Sequence, residues 1–179
     1  MNWKHAAAAA IVAVPIAALA WSSAVSQIKF VEIGQKAGAR PTHHTRIFPG
    51  KDGDVLRMFT SGGAAVAVGD YDNDGLEDMY VTDSDKDRTS HLYHNDGNLK
   101  FTDVAERAGV GGGNDALSIV ADAVWFDYDN DGWVDLVIGR FNTPILYHNE
   151  HNGKFKNVTA ASGLNKFGNT IAAAAFDYD

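Results

Sequence analysis

Asp70, Asp72, Asp74 and Asp78 in GDYDNDGLED, and Asp127, Asp129, Asp131 and Asp135 in FDYDNDGWVD, carry the clearest chemistry in this chain. Two unit charges about 4 Å apart repel by about 4 kcal/mol at an effective dielectric near ~20, so carboxylates gathered this closely call for a cation. Donors at loop positions 1, 3, 5 and 9, with a backbone carbonyl at 7, suit a hard ion that accepts about six to eight oxygens at irregular angles, as calcium does. The spacing therefore assigns Asp70, Asp72, Asp74, the carbonyl of Leu76 and Asp78 to one calcium loop. Asp127, Asp129, Asp131, the carbonyl of Trp133 and Asp135 form a second. Gly75 and Gly132, at position 6, permit the sharp turn that folds each loop onto its ion. Magnesium would keep its waters in a strict octahedron, and zinc would draw on His or Cys.

An EF-hand opens with the same pattern but needs an acid at position 12, where this chain has Val81 and Ile138. Dockerin-like pairs fail the same test, and thrombospondin-type calcium repeats would bring cysteines, of which there are none. A single acidic Asp-Gly turn would be ambiguous, whereas two full copies at matching places favour the cation. His91 with His94, and His148 with His151, have the look of i, i+3 metal or base pairs. On a strand that spacing sends the two side chains to opposite faces, so they read as structural. Asn157-Val158-Thr159 fits a glycosylation sequon inside a repeated element, and is read as part of that element. Trp125, Phe126, Tyr128 and Trp133 read as inter-blade packing residues rather than a sugar-stacking platform, with Trp133, at loop position 7, open to exposure.

The elements that must hold these loops are strands. AVAVG runs into the first loop and DMYVT leaves it; ADAVWF and DLVIG flank the second in the same way, so each loop joins two antiparallel strands. HLYHNDGNLKFTDV then reads as strand, an Asn-Asp-Gly-Asn turn and strand, and ILYHNEHNGKFKNV repeats it with a longer turn. The segments opening at Phe30, Phe101 and Phe155 each carry an aliphatic residue three positions on and a Gly eight positions on. Those at Phe101 and Phe155 read as connectors with one helical turn stopped by Gly109 or Gly163. Asp70, Asp127 and Asp177 begin successive loops 57 and 50 residues apart, and Asp177 and Asp179 start a third loop that the chain does not complete.

A unit of about four strands recurring every 50 residues or so cannot bury both faces of its sheet alone. That points to an all-β fold of propeller blades arranged radially. Residues 27–179 would make about three blades, part of a larger ring, and an open ring would leave sheet edges in need of a partner. Residues 39–63 have no counterpart in the second unit and read as an irregular insertion; His43 and His44 within it carry no reading of their own. Residues 1–26 place Lys4 before an apolar run from Ala6 to Trp21, followed by Ala24 and Ser26. This is the form of a secretory signal peptide and falls short of a membrane span, so the remainder is expected to be secreted or periplasmic. A net charge of -8 argues against a nucleic-acid partner, which would want a basic face.

GDYDNDGLEDMYVT, FDYDNDGWVDLVIG, the FTDVAERAGV type of segment and the LYHN strands together resemble the FG-GAP/VCBS repeats of integrin-type β-propellers. Such repeats occur in secreted cartilage-acidic-protein-like and ASPIC/UnbV proteins. The resemblance implies about seven blades, calcium in the hairpin loops and a role in adhesion or ligand binding, with further blades beyond this chain. The expected activity is a non-catalytic, calcium-stiffened binding module for an extracellular protein or glycan. A polysaccharide lyase or hydrolase built on a propeller, or a subunit completed by another chain, are the alternatives.

Overall fold

A computed structural model describes residues 28–53 and 63–176. The expected signal peptide, residues 54–62 of the insertion, and Asp177 and Asp179 lie outside these. The chain divides into two compact units at Val31. In the first, residues 28–31 form no regular element and Phe30 is exposed.

The second unit is built almost wholly of strands. Strands β1 (Val66–Gly69), β2 (Asp78–Val81), β3 (His91–Gly97) and β4 (Lys100–Asp103) form one antiparallel meander. Strands β5 (Ile119–Phe126), β6 (Asp135–Asn142), β7 (Ile145–Asn149) and β8 (Phe155–Asn157) form the next, and a short β9 (Gly168–Asn169) pairs with the far end of β6. Three single-turn helices complete the described elements: α1 (Gly34–Ala37), α2 (Ala105–Ala108) and α3 (Thr159–Ser162). Each ends on the glycine of its repeat, Gly38, Gly109 or Gly163, in the left-handed conformation with φ of 85°, 80° and 79°. That conformation is the reason the glycine recurs.

Among the described residues one sheet has four strands and the other five, β9 joining β5–β8 at β6. The Phe30 copy of the repeat contributes α1 but no strand, whereas Phe101 and Phe155 lie on β4 and β8. The β3–β4 turn also differs from expectation. It falls on Asn98 and Leu99, both with positive φ, because β3 bulges between Asn95 and Gly97 and runs through the Asn-Asp-Gly segment.

The sheets pack as consecutive blades, each offering one face to its neighbour. Ala67, Tyr80 and Leu92 are cross-strand partners on one face of the first sheet, and Trp125, Leu136 and Tyr147 are partners on the second. The two rows share one core, with the Tyr80 and Trp125 rings edge to face at 6.2 Å and the Trp125 indole N–H donating to the Ala67 carbonyl at 3.3 Å. Tyr80, Leu92, Leu136 and Ile138 are fully buried, each contributing about 1.5–3 kcal/mol. The opposite face of the second sheet, with Val124 and Val137, shares a groove with residues 173–176, and the Ala173 amide donates to Asp122.

The insertion is not a free loop. Arg46 is buried and donates to the carbonyls of Asp115, Ala116 and Ser118, while His44 meets the buried Asp83 carboxylate at 2.7 Å. These contacts tie residues 43–46 to the ends of the blades opposite the Asp loops. The sequence did not show this, since the partners lie about 40 to 70 residues away.

Candidate metal centre

Each Asp loop spans the hairpin between the first two strands of its sheet, and the two loops close on themselves through matching hydrogen bonds. Asp70 Oδ1 and Oδ2 accept from the amides of Asp74 and Gly75 at 3.1 and 2.8 Å. Asp127 accepts from Asp131 and Gly132 at the same two distances. Asp74 Oδ1 takes the Leu76 amide at 2.8 Å, and Asp131 Oδ1 takes the Trp133 amide at 2.9 Å. Gly75 and Gly132 sit at φ of 87° and 88°, where a side chain would be strained. Asn73 and Asn130, at position 4, also take positive φ, a conformation asparagine tolerates better than most residues.

The ninth-position aspartates are the hubs. Asp78 has no exposed surface; one oxygen accepts from Tyr71 N at 3.2 Å and the other from Asn95 N at 2.7 Å. Asp135, 1% exposed, accepts from Tyr128 N and Asn149 N in the same way, at 3.1 and 2.8 Å. Burial pushes the Asp78 carboxyl up to about 6, with the two amide donors opposing the shift, and burial raises Asp135 and Asp72 as well. Asp131 moves the other way, its charge favoured by the Trp133 amide and by His151. The loops thus hold charge that their surroundings only partly compensate.

The carboxylates converge only in part, with Asp78 outside the group of the first loop and Asp131 outside that of the second. One oxygen each from Asp70, Asp72 and Asp74 lie within 4.8 Å of one another, as do oxygens from Asp127, Asp129 and Asp135. Asp72 Oδ1 is buried without a hydrogen-bond partner, the condition of a donor kept for a ligand. An all-oxygen set of this kind fits a hard cation.

The LYHN tetrapeptide acquires a physical reading that the sequence did not supply. Leu92 and Leu146 fill the core, and the amides of Asn95 and Asn149 hold the ninth-position carboxylates. The Asn95 and Asn149 side chains donate to the carbonyls of Glu77 and Val134. Asn149 also reaches across to the Tyr71 carbonyl at 2.7 Å, tying the second blade to the first loop, and Asn73 returns the link to Gly132.

The histidines of the same motif turn toward the loops. His94 Nδ1 stands 3.4 Å from both Asp72 and Asp78, and His148 Nδ1 stands 3.2 Å from Asp135 and 3.5 Å from Asp129. The signal available in the sequence was the repetition of LYHN at a matching place after each loop. His91 does point away from His94, pairing with Asp103 at 2.6 Å. The second pair departs from that expectation. His151 lies beyond the end of β7 with φ of 58°, so it is freed from strand alternation and reaches Asp131 at 2.6 Å, its ring 6.1 Å from that of His148. Trp125 packs between the blades as expected, whereas Trp133 stacks on His151 at the loop surface.

The family model for the FG-GAP-like repeat matches residues 70–124 and 127–179, so each match begins on the first aspartate of a loop. Cartilage acidic protein 1 of Xenopus tropicalis is 30% identical over 129 residues, which is 69% of this chain and 19% of that relative; the chain spans about a fifth of its length. With two matched repeats covering more than half of its residues and two blade-like sheets bearing them, this chain belongs to the FG-GAP-like repeat family and folds as a β-propeller-like module.

Proposed function

We propose that the chain is a calcium-binding β-propeller-like module that presents a stiffened surface for adhesion or ligand binding outside the cytoplasm, without catalysis. The observation that carries this reading is the duplicate loop scaffold. Two segments 57 residues apart fix their carboxylates through the same amide contacts, which an incidental acidic turn would have no reason to repeat. Asp70, Asp72, Asp74, Asp78 and the Leu76 carbonyl would hold one ion, and Asp127, Asp129, Asp131, Asp135 and the Trp133 carbonyl the other. Asp177 and Asp179 would begin a third site. Calcium when bound supplies positive charge and about six to eight coordination positions; the chain supplies the turn glycines, the amide clamps and the Asn149 link that carries the stiffening from one blade to the next.

The non-catalytic part of the proposal draws on burial. Ser84 Oγ and His43 Nε2 stand 3.4 Å apart, but Ser84 is wholly buried and also donates to the His44 carbonyl, so this pair fastens the insertion to the blade. No helix among the described residues is long and apolar enough to cross a membrane. The partner we propose is an extracellular protein or glycan, recognised by loops other than the Asp loops.

Thermal unfolding with EDTA and with millimolar calcium tests the cation claim. A ligand at about 100 times its Kd stabilises by about 2.7 kcal/mol per site, and the gain should vanish in the Asp74→Ala, Asp131→Ala double variant. A melting temperature that responds to neither reagent would sink the proposal.

A further inference from the structure

The first Asp loop offers two overlapping donor sets. One is the all-oxygen group of Asp70, Asp72 and Asp74; the other joins Asp72 and Asp78 to an imidazole, with ligand atoms of Asp72, Asp78 and His94 all within 4.8 Å of one another. Two atoms of the second set stand out. His94 Nδ1 is sealed from solvent and makes no hydrogen bond, though it stands 3.4 Å from Asp72 Oδ2 and 3.4 Å from Asp78 Oδ1; Asp72 Oδ1 is sealed and unpartnered as well. Buried polar atoms in folded proteins are nearly always satisfied, so an unpartnered Nδ1 standing between the Asp72 and Asp78 carboxylates marks a donor open to a ligand. The His94 ring meets the Tyr71 ring edge to face at 6.1 Å, and its Nε2 lies 3.7 Å from Asp96 Oδ1.

We propose that Asp72, Asp78 and His94 form a mixed nitrogen and oxygen site for a d-block divalent cation of the zinc or cobalt class. Calcium takes oxygen ligands, whereas imidazole favours zinc, cobalt, nickel and copper, so adding His94 changes which ion the loop prefers. The inference rests on the reading of this loop as a cation site and concerns a different ion at part of it. The second loop is the lesser candidate. His148 joins Asp129 and Asp131 in a comparable cluster, but its Nδ1 already hydrogen-bonds Asp135 at 3.2 Å.

Cobalt titration of the full chain, followed by visible absorption and reversed with zinc, tests this alongside calcium-dependent thermal melting. The expected result is a cobalt spectrum whose binding weakens about tenfold or more in His94→Gln, while the calcium shift in melting temperature survives. His91→Gln, on the opposite face of the same strand, should change neither; circular dichroism confirms that both variants fold. The inference is overturned if cobalt binding is unchanged in His94→Gln, if His91→Gln weakens it equally, or if His94→Gln loses the cobalt and calcium responses together. A calcium shift without any cobalt binding would overturn this inference and leave the calcium reading standing. A cobalt response that depends on His94, with no calcium shift, would do the reverse.

Discussion

Replacing Asp78 with asparagine separates the structural work of this carboxylate from its work on a cation. Asp78 is fully buried, and burial raises its carboxyl from 3.8 to about 6. A folded-state value above the unfolded one means that this group's stabilising contribution is complete below about pH 4 and is lost as the pH rises through about 6. At about 1.36 kcal/mol per pH unit, the ionised group costs about 3 kcal/mol at pH 7.5 in the absence of calcium. Asparagine removes that cost. It also sets an amide NH₂ against one of the two backbone donors, Tyr71 N or Asn95 N, which costs about 1–3 kcal/mol. The two effects oppose each other, so in EDTA the variant should lie within about 2 kcal/mol of the parent. In saturating calcium the parent gains about 2.7 kcal/mol per loop at 100 times Kd, and the variant should forfeit the first loop's share. For a domain of this size that is a loss of about 5–11 °C from the calcium-induced rise in melting temperature, with the second loop's share retained. Scanning calorimetry of both proteins in EDTA and in calcium decides it. Equal destabilisation under both conditions would show that Asp78 is a hydrogen-bond hub only, and would refute the cation argument.

Because calcium must displace the proton from Asp78, its apparent affinity should fall about tenfold per pH unit below about pH 6 and stay flat above; isothermal titration between pH 5 and 7.5 checks this. Asn149→Ala should cost about 2–4 kcal/mol, because it leaves the buried Tyr71 carbonyl and the part-buried Val134 carbonyl without this donor. Asn95→Ala, with an exposed bond to Glu77, should cost about half as much; chemical denaturation compares them. Gly69→Ala should destabilise by about 1–3 kcal/mol even though Gly69 has ordinary φ, because the new methyl would meet the Trp125 ring at 3.0 Å and wedge the blades apart; the same denaturation assay reads it.

The expectations that held concern contacts made within a few residues of each other. The Asp loops close over nine positions, so the Asp spacing and Gly75 or Gly132 specify the turn wherever the loop is placed. The left-handed stops at Gly109 and Gly163 are equally local. Strand type followed from alternation. The placement of the β3–β4 turn did not, because a bulge adds a residue that no alternation pattern announces.

Taken alone, the sequence determined a repeated strand-loop-strand unit, the carboxylates at its loop and the family to which such units belong. Short-range spacing is sufficient to encode all three. Tertiary structure decided what the rest of the unit is for. The approach of His94 to Asp72 and Asp78 depends on the register between β2 and β3. The grip of Asn149 on the Tyr71 carbonyl spans 78 residues, and the docking of Arg46 on residues 115–118 spans about 70. Such pairs are fixed by the packing of one blade on the next, and in the linear order of residues nothing brings them together.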